Sequence, residues 1–199
     1  VQGMVSGWAT LYAMFSTPMF EANLSIPDGY INHAPLGKVD ATAKLDRENN
    51  RINIIGDGVL HGHHVAHVDG AVFPDRKYWE ILLHADSVSA GFVNYWTNSF
   101  LQDISGDVYG DVTISGRRMR TLVVGTPYVK HAGITLPYTG ARYYFSDTIR
   151  LDTTAITFQN ILLYDDSVRE RQAADPANHT AILNGYVNHR HFRSYDYHV

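Results

Sequence analysis

The sequence predicts an all-β protein, and three observations lead to that prediction. Polar and apolar residues alternate with a period of two along most of the chain, as they do in strands that bury one face. Residues that favour turns recur between these segments at hairpin spacing. Aromatic residues make up 12% of the chain and include 13 Tyr, a composition that favours strands. Together these patterns predict about a dozen strands.

The clearest single strand is predicted at residues 38–46, where charged or polar residues alternate with apolar ones. Residues 107–115 repeat the pattern, and Gly110 within them indicates a bend or a close approach of backbones. The alternation places the apolar members of each segment on one face. These members are Val39, Ala41, Ala43 and Leu45 in the first segment, and Val108, Val112 and Ile114 in the second.

Further strands follow from the same alternation, and turn residues separate them. The predicted strands are 51–55, 65–72, 79–85, 142–147, 155–164 and 180–187. On the strands 142–147 and 155–164, the residues predicted to share the apolar face are Tyr143, Phe145, Ile156 and Phe158. The predicted turns are 46–50, 57–58, 73–75, 115–116 and 126–127.

Two stretches depart from the strand pattern. Val88, Phe92 and Trp96 recur at helical spacing behind a capping residue at Ser87, which predicts one short helix. Residues 165–179 are the most charged part of the chain and contain Pro176, so we expect a long exposed hairpin loop there.

The two halves of the chain contain matching segments. Residues 1–7 match 104–110 at a shift of 103 residues, and 35–37 match 138–140 at the same shift. Residues 30–34 match 128–132 at a shift of 98. We therefore predict two strand arrays, 1–99 and 100–199, which bury their ends against each other as repeats do.

Composition and charge exclude several classes of function. The chain has no Cys, which excludes disulfides, thiolate metal sites and a cysteine nucleophile. Its formal charge of −4 has the wrong sign for a protein that binds phosphate backbones, so we expect no nucleic-acid partner. No apolar run approaches the roughly 20 residues of a membrane helix. The chain begins at Val1 without a leader pattern, so we expect a processed chain or a segment of a longer one.

Histidines form the one candidate metal cluster. His61, His63 and His67 share a face if the segment is a strand, and paired imidazoles at that spacing can hold zinc. A metal site also needs a third convergent ligand and supporting hydrogen bonds, so we predict solvated strand histidines and no metal. For the pair His189 and His191 we likewise predict solvated histidines and no metal.

The sequence contains none of the short motifs that mark nucleophilic, zinc-dependent or nucleotide-dependent enzymes. We therefore predict a protein that is not an enzyme and has no cofactor. One alternative function is a carbohydrate-binding β-sandwich, in which Trp8, Trp79 and Trp96 would form stacking platforms. Another is a closed structural spacer without a ligand. Alternation alone does not distinguish the closed core of tandem sandwiches from an open apolar groove.

The second half of the chain resembles the repeat pattern of the TamB family, the translocation and assembly module proteins of Gram-negative envelopes, related to AsmA-like and bridge-like lipid transfer proteins. The resemblance covers residues 100–199 well and 1–86 more loosely. The segments that carry it are 100–116 (FLQDISGDVYGDVTISG), 125–128 (GTPY), 134–138 (ITLPY), 144–149 (YFSDTI), 158–165 (FQNILLYD) and 183–192 (LNGYVNHRHF).

The resemblance implies a periplasmic segment of a longer protein that is anchored in the inner membrane. It implies a β-taco, a sheet bent into a U around an apolar groove, with no catalytic residues. The implied ligands are lipid acyl chains or β-strand clients, and the implied partner is a TamA-like or BamA-like barrel of the outer membrane. A segment cut from such an array exposes strand edges, so we expect the isolated chain to self-associate.

Overall fold

A computed structural model confirms the all-β prediction. It describes residues 3–12, 19–97, 101–117, 120–138, 140–166, 179–189 and 195–198. Within these residues, fourteen strands form one antiparallel sheet. The strands are β1 (Ser6–Tyr12), β2 (Met19–Ile31), β3 (Ala34–Asp46), β4 (Arg51–Leu60), β5 (His63–Phe73), β6 (Tyr78–Ser89), β7 (Gln102–Arg117), β8 (Arg120–Gly125), β9 (Tyr128–Leu136), β10 (Ala141–Thr148), β11 (Arg150–Leu151), β12 (Ala155–Asp165), β13 (Ala181–His189) and β14 (Tyr195–His198).

The sheet is a single up-and-down meander, because the strands pair with their neighbours along the chain. β7 pairs with both β8 and β9, since these two lie end to end along it and are separated only at residues 126–127. β10 and β11 likewise form one strand interrupted at Ile149, and β12 pairs with both. The chain therefore forms one continuous sheet, and the alternative of tandem β-sandwiches is wrong.

The sheet is curved toward its apolar face. β3 and β6 are three strands apart, which corresponds to roughly 14 Å in a flat sheet, yet their backbones come into contact range. Leu36 of β3 and Leu83 of β6 pack against one small cluster on that face. The U-shaped sheet with an apolar groove is therefore the observed architecture.

The main hydrophobic core lies in the C-terminal half. Residues of β9, β10 and β12 pack there around Ile161, whose side chain is 0% exposed. The core residues are Ala90, Val129, Ala132, Ile134, Phe145, Ile161 and Leu163. A second, smaller cluster of Ala66, Ala85 and Val88 lies on the concave face of β5 and β6.

Two predicted turns are wrong. Residues 57–58 lie inside β4, and 115–116 lie inside β7. Gly58 and Gly116 are buried strand residues, and Gly116 lies beneath the indole ring of Trp79. Each glycine accommodates a close approach within the sheet, a role that sequence alone does not separate from a turn.

The predicted helix is shorter and begins later. Val88 still belongs to β6, and Ser89 caps a 3-10 turn at Ala90–Val93 that continues into one α-helical turn, α1 (Asn94–Thr97). Among the described residues no helix is long and apolar enough to cross a membrane. The predicted loop at 165–179 lies mostly outside the described residues.

Strands pair across the predicted boundary between 1–99 and 100–199, because β6 and β7 form a long ladder. The two predicted arrays therefore share one sheet. The matching segments 30–34 and 128–132 occupy different elements: the first spans the turn between β2 and β3, and the second lies within β9. His33 and His131 nevertheless both adopt positive φ angles.

Candidate functional site

The two faces of the sheet have opposite chemistry. Along β3 the half-buried residues from Val39 to Leu45 alternate with exposed Lys38, Asp40, Thr42 and Lys44. Residues directly opposite each other in an antiparallel pair project to the same side, so the register extends this division to the neighbouring strands. The apolar side is the concave one, and the polar side is convex.

One row of paired residues crosses the concave face without a polar side chain. It follows the register from β1 to β13, over roughly 50 Å at about 4.8 Å per strand. We call it the floor row. Its members are Gly7, Leu24, Ala41, Gly56, Val68, Leu83, Val112, Gly125, Leu151, Ile156 and Val187.

Parallel rows on β1 to β8 widen this apolar surface. The first consists of Ala9, Ala22, Ala43, Ile54, Gly70, Ile81, Ile114 and Val123. The second consists of Leu45, Ile52, Val72, Trp79 and Gly116. The third consists of Ile26, Val39, Gly58, Ala66, Ala85 and Gly110. We call the concave face of β1 to β8 the trough.

The apolar residues singled out from the sequence lie on the apolar face of the sheet, within the trough on β3 and β7 and beyond it on β10 and β12. The four rows include Val39, Ala41, Ala43 and Leu45 of β3. Two of the rows also include Val112 and Ile114 of β7. Val108 lies between Val88 and Val129 in the register, and Tyr143 pairs with Ile134. Phe145 pairs with Ala132, Ile156 lies in the floor row, and Phe158 packs against the main core.

These residues differ in how far they are covered. Phe145 is 5% exposed and Val112 is 7% exposed, so both take part in core packing. The β3 residues remain half-buried, and Leu24 beside them is 48% exposed. The open part of the concave face is therefore its N-terminal half.

Sequence reasoning missed the trough residues of β2 and the outward-facing leucine of β6. Residues 79–85 were correctly placed in a strand, but Leu82 faces outward and is 44% exposed, whereas Ile81 and Leu83 face the trough. Leu24 was missed because Pro27 and Gly29 interrupt the alternation of β2. The available signal was the pairing register, which places Leu24 opposite Ala41.

The connection between β6 and β7 closes one lip of the trough. Phe92 packs against the cluster of Ala66, Ala85 and Val88, and its carbonyl accepts a hydrogen bond from Asn32 at 3.2 Å. The Asn94 amide donates to the Ile104 carbonyl at 2.8 Å and accepts from the Ile104 N–H at 2.7 Å. These bonds join the connection to β7 and to the turn that follows β2.

The convex face carries a polar row directly behind the apolar one. The register aligns Ser25, Asp40, Asp57, His67, His84 and Asp111. The His84 ring lies 2.6 Å from the Asp111 carboxylate and 3.2 Å from that of Asp86. The hydrogen bond with Asp111 is the main cause that raises the pKa of His84, and the charge of Asp86 adds to it.

The strand geometry assumed for the histidine cluster is wrong. His61 lies in the turn between β4 and β5 with φ 52°, so it does not share a strand face with His63. His67 forms a 2.8 Å hydrogen bond with Asp57. Within the described part of the chain, no three His, Asp or Glu side chains come together as metal ligands.

The two tryptophans whose side chains the structure describes, Trp8 and Trp79, do not form a common platform for sugars. Trp8 pairs with Asn23 on the convex face, while Trp79 pairs with Val72 in the trough. The side chain of Trp96 lies outside the described residues. The geometry therefore gives the carbohydrate-binding alternative no support at Trp8 and Trp79.

No family model, curated protein or solved structure matches this chain.

Proposed function

We propose that the chain is a non-catalytic, lipid-conducting segment of a TamB-like envelope protein, and that its trough binds lipid acyl chains. The floor row carries the proposal, because an apolar surface that continues across strand after strand provides a path without polar interruption. The resemblance to the TamB family supports periplasmic location, inner-membrane anchoring and a TamA-like or BamA-like barrel partner.

The trough has the energetics of reversible binding. Burial of each acyl methylene contributes about 0.8 kcal/mol, so ten methylenes supply several kcal/mol before entropic costs. The half-buried residues of β3 and β4 offer such contact without a closed pocket. A ligand held in this way can slide along the row, because no polar group fixes its position.

Acyl chains fit the trough better than β-strand clients do. A client strand needs unpaired backbone groups, and in β2 to β6 both edges of each strand are paired with neighbours. The trough presents side chains instead of backbone hydrogen-bonding groups. We therefore propose lipid as the ligand of this face.

The test compares two adjacent isoleucines of β4. Ile54 lies in the trough, whereas Ile55 faces outward and is 48% exposed. We expect Ile54→Asp to abolish retention of acyl lipids measured by native mass spectrometry, because a carboxylate interrupts the apolar path. The control Ile55→Asp keeps wild-type retention. Equal retention of acyl lipid by folded Ile54→Asp and folded Ile55→Asp would contradict the proposal. Heat released when the protein is titrated with glycans would favour the carbohydrate-binding alternative.

A further inference from the structure

A residue from outside the sheet fills the closed lip of the trough. Ala66 and Ala85 lie side by side in the third row of paired residues, and both are buried although their side chains are small. Phe92, from the 3-10 turn at Ala90–Val93, packs against the cluster that they form with Val88. An aromatic side chain of the connection therefore occupies this part of the trough, which the small side chains of the strands leave unfilled.

The opposite wall of the trough holds the same cluster. Leu36 of β3 packs against it, and β3 contacts the 3-10 turn across the trough. Leu83, which belongs to the floor row, borders the cluster on the side of the open trough. The space that Phe92 fills is therefore continuous with the apolar path of the floor row.

A hydrogen bond from the turn between β2 and β3 holds Phe92 in this position. The side-chain amide of Asn32 donates to the Phe92 carbonyl at 3.2 Å, and we call this bond the latch. Asn32 and His33 have φ angles of 46° and 71°, and a two-residue hairpin turn with two positive φ angles favours Asn at its first position. The same residue thus forms the turn and reaches the connection, although β4 and β5 lie between β3 and β6 in the sheet.

The connection can move while the sheet keeps its ladders. Ser89 is the last residue of β6 that pairs with β7, so residues 90–97 belong to neither strand. Within the turn, the Gly91 N–H donates to the Ser89 hydroxyl at 3.3 Å, and the Asn94 amide donates to the Gly91 carbonyl at 3.1 Å. These bonds stay intact when the turn moves as a unit. The bonds between Asn94 and Ile104 then serve as its hinge.

We propose that Phe92 is a plug, and that an acyl chain bound in the trough displaces it and takes its place on Ala66 and Ala85. This inference rests on the proposed function, since the trough supplies the rest of the acyl site. The acyl chain covers the cluster that the ring leaves, so opening costs only the latch and the exposure of one aromatic ring. The plugged form shields the small apolar residues from water while no lipid is bound.

The test compares two asparagines that share a φ angle of 46° in hairpin turns at opposite ends of the strands. Asn32→Gly removes the latch and keeps the turn, because glycine adopts positive φ readily. We expect it to raise the apparent affinity of the full chain for the fluorescent fatty acid cis-parinaric acid by roughly two- to tenfold, the effect of one hydrogen bond that stabilises the plugged form. In the control Asn50→Gly, the lost bond joins the turn between β3 and β4 to Asp75, and wild-type affinity is kept.

Phe92→Ala distinguishes a plug from a bond that only supports the fold. It removes the plug itself, so Asn32→Gly should add nothing to the affinity in that background. In wild type, binding of the fatty acid should increase amide hydrogen exchange in residues 90–93, and slower exchange there would contradict displacement. Equal affinities of wild type and folded Asn32→Gly overturn the plug and leave the trough intact. Failure of both wild type and folded Phe92→Ala to bind the fatty acid overturns the proposed function itself.

Discussion

The N-terminal and C-terminal halves of the sheet use the same alternation and reach different outcomes. In β3 and β4 the apolar face remains half-buried along its length. In β9, β10 and β12 the apolar face closes over a core that leaves Ile161 fully buried. Periodicity therefore determines which residues share a face but does not determine whether that face is covered.

Register shifts occur in both halves of the sheet. The β3–β4 and β5–β6 ladders run without one, whereas the ladders of β2 with β3, β4 with β5, β7 with β9, β9 with β10 and β12 with β13 contain them. In the C-terminal half Asp103, His131 and Asn160 adopt positive φ angles at these places. Bulges bend a strand and increase its twist, which favours the curling of β9, β10 and β12 over their own side chains.

The largest expected effect lies in the closed half. Ile161→Ala removes a fully buried side chain, and we expect a loss of about 2–5 kcal/mol in the free energy of unfolding. Ile54→Ala, in the open half, should cost about 1 kcal/mol, because its side chain is only half-buried. Urea denaturation followed by circular dichroism measures both. Equal losses would contradict the division into closed and open halves.

Two glycines of the floor row test the junction between the halves. A Cβ on Gly125 would lie 2.5 Å from the Asp111 carbonyl, so Gly125→Ala must displace backbone and should cost about 1–3 kcal/mol. A Cβ on Gly56 would find its nearest neighbour at 3.4 Å, an ordinary contact. We therefore expect Gly56→Ala to change stability by less than about 1 kcal/mol. Urea denaturation measures the free energy of unfolding of both variants. A larger loss in Gly56→Ala than in Gly125→Ala would show that the trough floor is packed as tightly as the junction.

Most of the sheet could be predicted from sequence, because alternation in segments such as 38–46 and 79–85 reports one buried face directly. The strand residues 57–58 and 115–116 could not be predicted, because sequence does not distinguish a glycine that permits close packing from one that permits a turn. The bulge residues were also missed, because Asp103 and Asn160 adopt positive φ through tertiary context.

The floor row was missed for a different reason. Each strand contributes one residue to it, so the row becomes visible only when the register joins Ala41, Gly56 and Val68.

The connection between β6 and β7 separates the open half from the closed half, and Asn94 holds it. Asn94→Ala removes both hydrogen bonds to Ile104, and we expect a loss of about 1–2 kcal/mol. Amide hydrogen exchange should then rise in residues 90–97 and remain unchanged in β3 and β4. Asn53→Ala, on the convex face of β4, is the matched control. Faster exchange throughout the sheet would indicate that the connection supports the whole fold.

The smallest expected effect concerns the polar row behind the trough, where exposure and salt weaken electrostatics. Because the pKa of His84 is raised above its ordinary 6.5, chiefly by Asp111, the protonated ring stabilises the folded state. That contribution is fully present below pH 6.5 and is lost as pH rises through the folded-state pKa. We expect Tm to fall between pH 6 and 8 more in wild type than in Asp111→Asn.

His84→Gln supplies the control for this comparison, because it removes the titrating group and leaves both carboxylates in place. An NMR titration that finds the His84 ring at its ordinary pKa would contradict the pairing. A pH dependence that persists unchanged in His84→Gln would assign the effect to another titratable group.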